Sequence, residues 1–313
     1  MAKRAMRIAI YLFVLILLIN TSIWAGTGTT AAQFLNKATG ARPAGMGNCF
    51  VAVADDLNAI CWNPAGLAFL NKRQASFMYS DISNVFQVEG AGNMYHGFLA
   101  YINPWGKGKT GGLSLQYEEQ GKIAYTTGSP EVIAEYDLGA NSALSFSYAI
   151  KLRSHLGGGI NLKVVRTKLW KYEGTAYGID VGLLYRGERI NAGISLRNFG
   201  TKLIMKDAYQ ADSLPQDLRF GLSYKLLSGN PGKLTVAIDL TKPLDLGIQV
   251  SSGIEYWYAN LLALRIGYLD EGGGVTGFTQ GIGIRYKGYQ VDFASIPWGE
   301  LGTAQKISLT IYF

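Results

Sequence analysis

From about Ala75 to the C-terminus the chain alternates apolar and polar residues with a period of two, which restricts it to a sheet. Leu144, Phe146, Tyr148, Ile150 and Leu152 interleave with Ser145, Ser147, Ala149, Lys151 and Arg153. Tyr177, Ile179, Val181, Leu183 and Tyr185 interleave with Gly178, Asp180, Gly182, Leu184 and Arg186. Neighbouring side chains of a strand point to opposite faces, so these runs predict strands with one apolar and one polar face. The runs and the turns between them give fourteen strands. They lie near 75–82, 93–102, 110–118, 139–152, 155–167, 174–186, 190–199, 217–226, 233–241, 249–259, 261–270, 276–287, 288–296 and 304–313. Most come close to the ~9–11 residues with which a tilted strand crosses a bilayer. Twelve and sixteen are the neighbouring counts.

Alternation alone fits both a soluble barrel and a membrane barrel, whose faces are inverted. Lys151, Arg153, Lys163, Asp180, Arg219, Asp239, Glu255, Arg265, Arg285, Asp292 and Lys306 all fall on the polar phase. Only 16% of the chain is charged, against about 25% in ordinary soluble proteins. Aromatic residues such as Tyr101, Trp105, Trp170, Tyr172, Tyr286 and Trp298 gather toward predicted strand ends, as interfacial girdles require. The last strand carries Ile307, Leu309, Ile311 and Phe313 in one phase, and Tyr312–Phe313 looks like the terminal signal read by the bacterial barrel-assembly machinery. At the other end Lys3, Arg4 and Arg7 precede an apolar run from Ile8 to Ile19 and the small residue Ala25. That layout predicts a cleaved secretory signal peptide over 1–25, the run being short of the roughly 20 residues of a membrane helix. The sequence therefore predicts an exported, all-β, transmembrane antiparallel β-barrel of about fourteen strands over residues 73–313, embedded in outer-membrane lipid.

Residues 26–72 behave differently. Thr29–Thr39 and Asp56–Leu70 read as short helices, the second capped by Asp55 or Asp56 and broken at Asn63–Pro64. Phe34, Leu35, Phe50, Leu57, Ile60, Trp62, Leu67, Phe69 and Leu70 make the segment too apolar for a solvated tail, so it is predicted to plug the lumen or its periplasmic mouth. Cys49 and Cys61, in an exported chain, can form a disulfide or stay as two buried thiols; spacing does not choose.

Other strings lose their chemistry on inspection. Gly106–Thr110 (GKGKT) ends like a phosphate-binding loop, but Asn103 stands where the first glycine is needed, and the string joins two strands as a turn. His96 and His155 lie on different strands without metal-ligand spacing, and nothing calls for a cofactor. Gly157–Gly158–Gly159 and Gly272–Gly273–Gly274 read as strand bends or loop tips. The net charge of +7 is spread without basic blocks, no footprint for nucleic acid.

Gly40-Ala41-Arg42-Pro43-Ala44-Gly45-Met46-Gly47, followed by Ala54-Asp55-Asp56 and Asn63-Pro64-Ala65-Gly66-Leu67-Ala68, resembles the N-terminal region of FadL-like outer-membrane proteins, most of all the PorV/PorQ branch. The resemblance implies a fourteen-stranded barrel with an N-terminal hatch, to which Asn63, Pro64 and Ala65 would belong. Those three with Gly66 are the candidate gating residues, the alternative being that they merely turn the chain. Among the polar-phase charges Arg153, Arg219, Arg265 and Arg285 could receive a ligand carboxylate through the two-pronged guanidinium; the alternative is an ion-pair network filling the lumen. Two functions fit. One is passage of hydrophobic or amphipathic small molecules. The other, implied by the resemblance, is a barrel accessory to type IX secretion that binds or anchors exported cargo proteins. An enzyme of the lumen or rim is the weakest reading.

Overall fold

The computed structural model describes residues 30–83, 94–125, 134–206, 211–270, 276–299 and 302–313. The expected signal peptide and the Gly272–Gly274 loop lie outside the described residues. Fourteen long strands run antiparallel to their sequence neighbours: β1 Gln74–Asp81, β2 Tyr95–Gly106, β3 Lys109–Glu119, β4 Gly139–Arg153, β5 Leu156–Leu169, β6 Tyr172–Arg186, β7 Ile190–Gly200, β8 Asp217–Ser228, β9 Gly232–Pro243, β10 Gln249–Tyr258, β11 Leu262–Asp270, β12 Thr276–Tyr286, β13 Tyr289–Pro297 and β14 Thr303–Tyr312. β1 pairs with β14, Gln74 opposite Tyr312, so the sheet closes and leaves no edge. All fourteen strands expected from the periodicity are present. Short extra pieces decorate one end: a hairpin of Lys122–Tyr125 with Ala134–Asp137, and Leu203–Met205 beside β6.

The connections at the end shared by Gln74 and Phe313 are two or three residues long, and most of those at the opposite end are longer. Outer-membrane barrels keep short turns in the periplasm and long loops outside, which orients the molecule. The Gly106–Thr110 string is one of the short turns, with Lys107 (φ 51°) and Gly108 (φ 70°) at its centre. That is the left-handed pair a two-residue hairpin requires.

The apolar phase faces outward: Leu99, Phe146, Leu162, Val181, Ile254, Leu264, Ile266 and Leu309 are exposed on the barrel's outer surface. Aromatic residues belt both ends of the barrel, with Tyr79, Tyr95 and Tyr117 packed together at the loop end and Trp105 against Tyr148 near the turns. Trp298 departs from this expectation, because it packs inward and carries the Lys37 ammonium over its ring. The polar phase faces inward, burying Lys163, Asp180, Arg219, Asp239, Glu255, Arg265, Asp292 and Lys306.

The segment before β1 fills the lumen from mouth to mouth. Thr30 hydrogen-bonds Asp245 and Ala31 donates to the Ser213 carbonyl, both at the loop end. The chain then descends to Lys72 at the turn end. Phe34, Leu35, Phe50, Leu57, Ile60, Trp62 and Leu67 are buried as expected, in clusters with inward-facing residues such as Met78, Phe98 and Ile102 on one side and Val165, Ala176 and Leu214 on another. Phe69 and Leu70 are only half-buried and face a cavity at the turn end. The helices are shorter than expected: single turns at Gln33–Asn36, Ala41–Gly45 and Ala59–Trp62, and a 3-10 helix at Pro64–Phe69. Backbone N–H groups of the plug bond to wall side chains instead of closing helical turns, as Ala41 does to Ser308 and Phe50 and Val51 do to Asp239.

Candidate functional site

Two glycine-lined patches of wall receive the plug. At the first, Gly45 lies against Gly281 of β12, where an added Cβ would come within 2.9 Å of the Gly281 Cα. Met46 and Gly47 press on Gly253 and Gly267 in the same way, and Gly47 N–H donates to Thr279 Oγ1 at 2.9 Å. This close approach is why the G-A-R-P-A-G-M-G stretch is rich in small residues. It also seats Arg42 beside the wall.

Arg42 is almost fully buried and holds three carboxylates. Its Nε and Nη2 donate to the two oxygens of Glu255 on β10 at 2.8 and 2.7 Å, the two-pronged geometry. Its Nη1 donates to Asp55 and to Asp56, each at 2.7 Å. Glu255 also accepts from Arg265 on β11 (2.7 Å), and Arg265 reaches Asp292 on β13 (2.8 Å). Gln290 donates to Asp292 and accepts from Arg285 and from the Tyr312 hydroxyl. The result is a continuous network joining plug to β10–β14, a latch. Asp55 does not cap a helix, because it is turned toward Arg42; Asp56 splits its oxygens between Arg42 and the Asn58 N–H.

The second patch lies on β5–β7. Asn63 Nδ2 donates to the carbonyls of Val51 (2.9 Å) and Leu183 (3.1 Å), while its Oδ1 accepts from Ala65 N–H at the start of the 3-10 helix. Pro64 rests on Gly159, where a methyl would overlap the Pro64–Ala65 peptide, and Gly182 leaves room for the Asn63 amide. Gly157 faces Ala65 and Phe69. This glycine run is therefore neither a bend nor a loop tip but a docking surface inside a regular strand. Further contacts fasten the plug around the circumference: Asp239 accepts from Phe50 and Val51 N–H, Arg197 donates to Cys61 O, and Arg219 stacks over Trp62. Cys49 and Cys61 are free thiols, so the disulfide expected as one alternative is not formed. Burial pushes the Cys61 thiol up to about 11.

The four arginines suggested from sequence separate. Arg153 is not buried in the lumen: it is exposed at the last position of β4, after a register shift between Lys151 and Arg153. Arg219 is paired with Asp217, which Arg197 also holds. Arg265 is committed to Glu255 and Asp292. Arg285 alone borders a cavity without a carboxylate bond, its guanidinium lying over Trp257 (4.6 Å) and Tyr312 (5.1 Å). Tyr312 thus points inward, whereas Phe313 is exposed on the outer rim. Sequence reasoning missed Arg42 as an anchor and Arg186 as a lining residue. The signal for Arg42 was present, an arginine among small residues followed by two adjacent aspartates.

That cavity, about 670 Å³, opens at the turn end between the plug and the wall. Arg42, Phe69, Arg186, Trp257, Arg285 and Tyr312 contribute to its lining. Arg186 donates to the Val53 and Ala54 carbonyls and lies 4.7 Å over the Phe69 ring, again without a carboxylate bond.

Among solved structures, the Ralstonia pickettii toluene transporter TbuX is similar with TM-score 0.58 and 15% identity, covering 88% of this chain and 97% of that one. The Pseudomonas putida toluene transporter TodX gives 0.59 and 13%, with the same coverage. A Pseudomonas aeruginosa FadL homologue gives 0.56 and 12%, covering 88% and 98%. No curated relative matches the chain. The family described as Type IX secretion system protein PorV matches residues 24–247. This outer-membrane chain, folded like the FadL-type channels, therefore belongs to the PorV family of type IX secretion system proteins.

Proposed function

We propose that the protein is a plugged outer-membrane barrel through which hydrophobic or amphipathic small molecules pass when the plug loosens. One observation carries this reading: residues 30–72 cross the whole lumen yet pair with no barrel strand. Apart from the Ala31–Ser213 backbone bond at the loop end, the plug is held by bonds involving side chains and by apolar contacts, so it can shift without breaking a ladder of the sheet. Asn63, Pro64, Ala65 and Gly66 are the candidate gating residues; the first three sit on the glycines of β5 and β6, where a small displacement opens the wall contact, and Gly66 packs on Ala54 within the plug. Phe69, Leu70 and Trp257 give the exit an apolar lining beside cationic groups, suited to an amphipathic solute. The likeness to toluene transporters supports the same class of cargo. The test is entry of an apolar fluorescent probe into proteoliposomes bearing the refolded chain. Faster entry than into protein-free vesicles, rising further when residues 30–72 are deleted, is expected; equal rates for all three preparations would refute passage.

The family match favours a second reading, an accessory of type IX secretion that receives or anchors exported cargo proteins. Deleting the gene would then retain cargo in the periplasm while leaving uptake of the probe by cells unchanged. The opposite pattern favours passage.

A further inference from the structure

We infer that the periplasmic mouth is a docking site for an extended acidic segment of a partner protein, a role that does not depend on passage of small molecules. Six lysines and arginines line the cavity there against three carboxylates. Two of those carboxylates, Asp55 and Glu255, are bound by Arg42, and the third is Glu188. The surplus is positive, and its arrangement is informative. Arg186 and Arg285 are walls of the site: each guanidinium is flattened on an aromatic ring, each spends donors on neutral oxygens, and neither is bonded to a carboxylate. Stacked guanidiniums of this kind are pre-organised to take a carboxylate in two-pronged fashion.

Spacing along the wall favours an extended occupant. Arg186 ends β6 and Arg285 is the last residue but one of β12, six strand steps apart. At about 4.8 Å per step the wall between them measures about 29 Å. A small headgroup bound at one arginine leaves the wall between them uncovered. An extended peptide, advancing about 3.3 Å per residue, reaches both and passes Lys225 and Lys233 on the way. Those two lysines sit at the rim of the β8–β9 hairpin, where unpaired ammonium groups draw in an anionic chain from a distance. The half-exposed Asp55 marks where the docked segment meets the latch: a carboxylate arriving there competes with it for Arg42.

The experiment uses the full chain refolded in zwitterionic detergent and a fluorescein-labelled peptide of alternating glutamate and serine, ~12 residues long so that it spans the wall. Fluorescence anisotropy measures binding at low salt, and heat-modifiable migration verifies that each variant is folded. Saturable binding is expected, weakened at least tenfold in R186Q/R285Q. In K225Q/K233Q, which alters an exposed and a half-buried lysine that hold no carboxylate, association should slow and lose much of its salt dependence. A matched lysine–serine peptide should not bind. No binding by the intact chain, or undiminished binding by R186Q/R285Q, overturns the proposal. Complete displacement of the peptide by dodecanoate at comparable carboxylate concentration would also overturn it, by making the site one for single-headed amphiphiles.

Discussion

Replacing Arg42 with alanine removes the hub of the latch while leaving every barrel ladder intact. The side chain is 4% exposed, and so are its partners Asp56 (5%) and Glu255 (3%), whereas Asp55 is 47% exposed. The Asp55 contact contributes little, since water and salt screen it. Deleting one member of a buried ionic cluster leaves uncompensated charge and costs about 3–5 kcal/mol. Arg265 still holds Glu255, which places this case near the lower end, about 3 kcal/mol. The plug's docking equilibrium then shifts roughly a hundredfold. Single-channel recording in planar bilayers reads the change directly. Arg42→Ala should show frequent openings where the intact chain is nearly silent, with heat-modifiable migration preserved, and Arg42→Lys should fall between the two. Traces from Arg42→Ala indistinguishable from the intact protein would refute the latch and leave the apolar clusters as what holds the plug.

Other outcomes follow from the same geometry. Cys61 should resist alkylation at pH 8, because a thiol held at about 11 is thiolate in only ~0.1% of molecules, and Arg42→Ala should speed labelling about a hundredfold as the thiol returns toward its ordinary range. Because the docked value lies above the free value of 9.0, this group's contribution to docking is intact below pH 9.0 and declines as the pH rises toward about 11. Gly159→Ala, which forces a methyl into the Pro64–Ala65 peptide, should raise conductance without unfolding the barrel, as should alanine at both Asn63 and Pro64. Ile266→Arg, on the lipid face of β11, should lower barrel stability in urea by about 2–4 kcal/mol if that face meets the bilayer midplane.

The number of strands and the division of each into two faces were legible because alternation is local, while the outward turn of the apolar face rested on composition, aromatic placement and the two ends of the chain. Leu144 and Ser145 declare opposite faces without reference to any other strand, and fourteen such runs leave a closed sheet as the way to satisfy every edge. The apolar residues of the plug were legible for the same reason, since composition alone states that they must be buried. Phase tells which face a side chain takes but not how deep along the axis it lies. Arg153 and Arg265 therefore read alike, though one ends in solvent at a turn and the other sits amid Glu255 and Asp292. Glycine was ambiguous too: a strand glycine is a bend or a landing site depending on what approaches it, and Pro64 approaches Gly159 from 95 positions earlier in the chain. The latch belongs wholly to tertiary structure. Arg42 meets Glu255 across 213 residues, a pairing set by the barrel's closure and the plug's path through it, which no local pattern encodes.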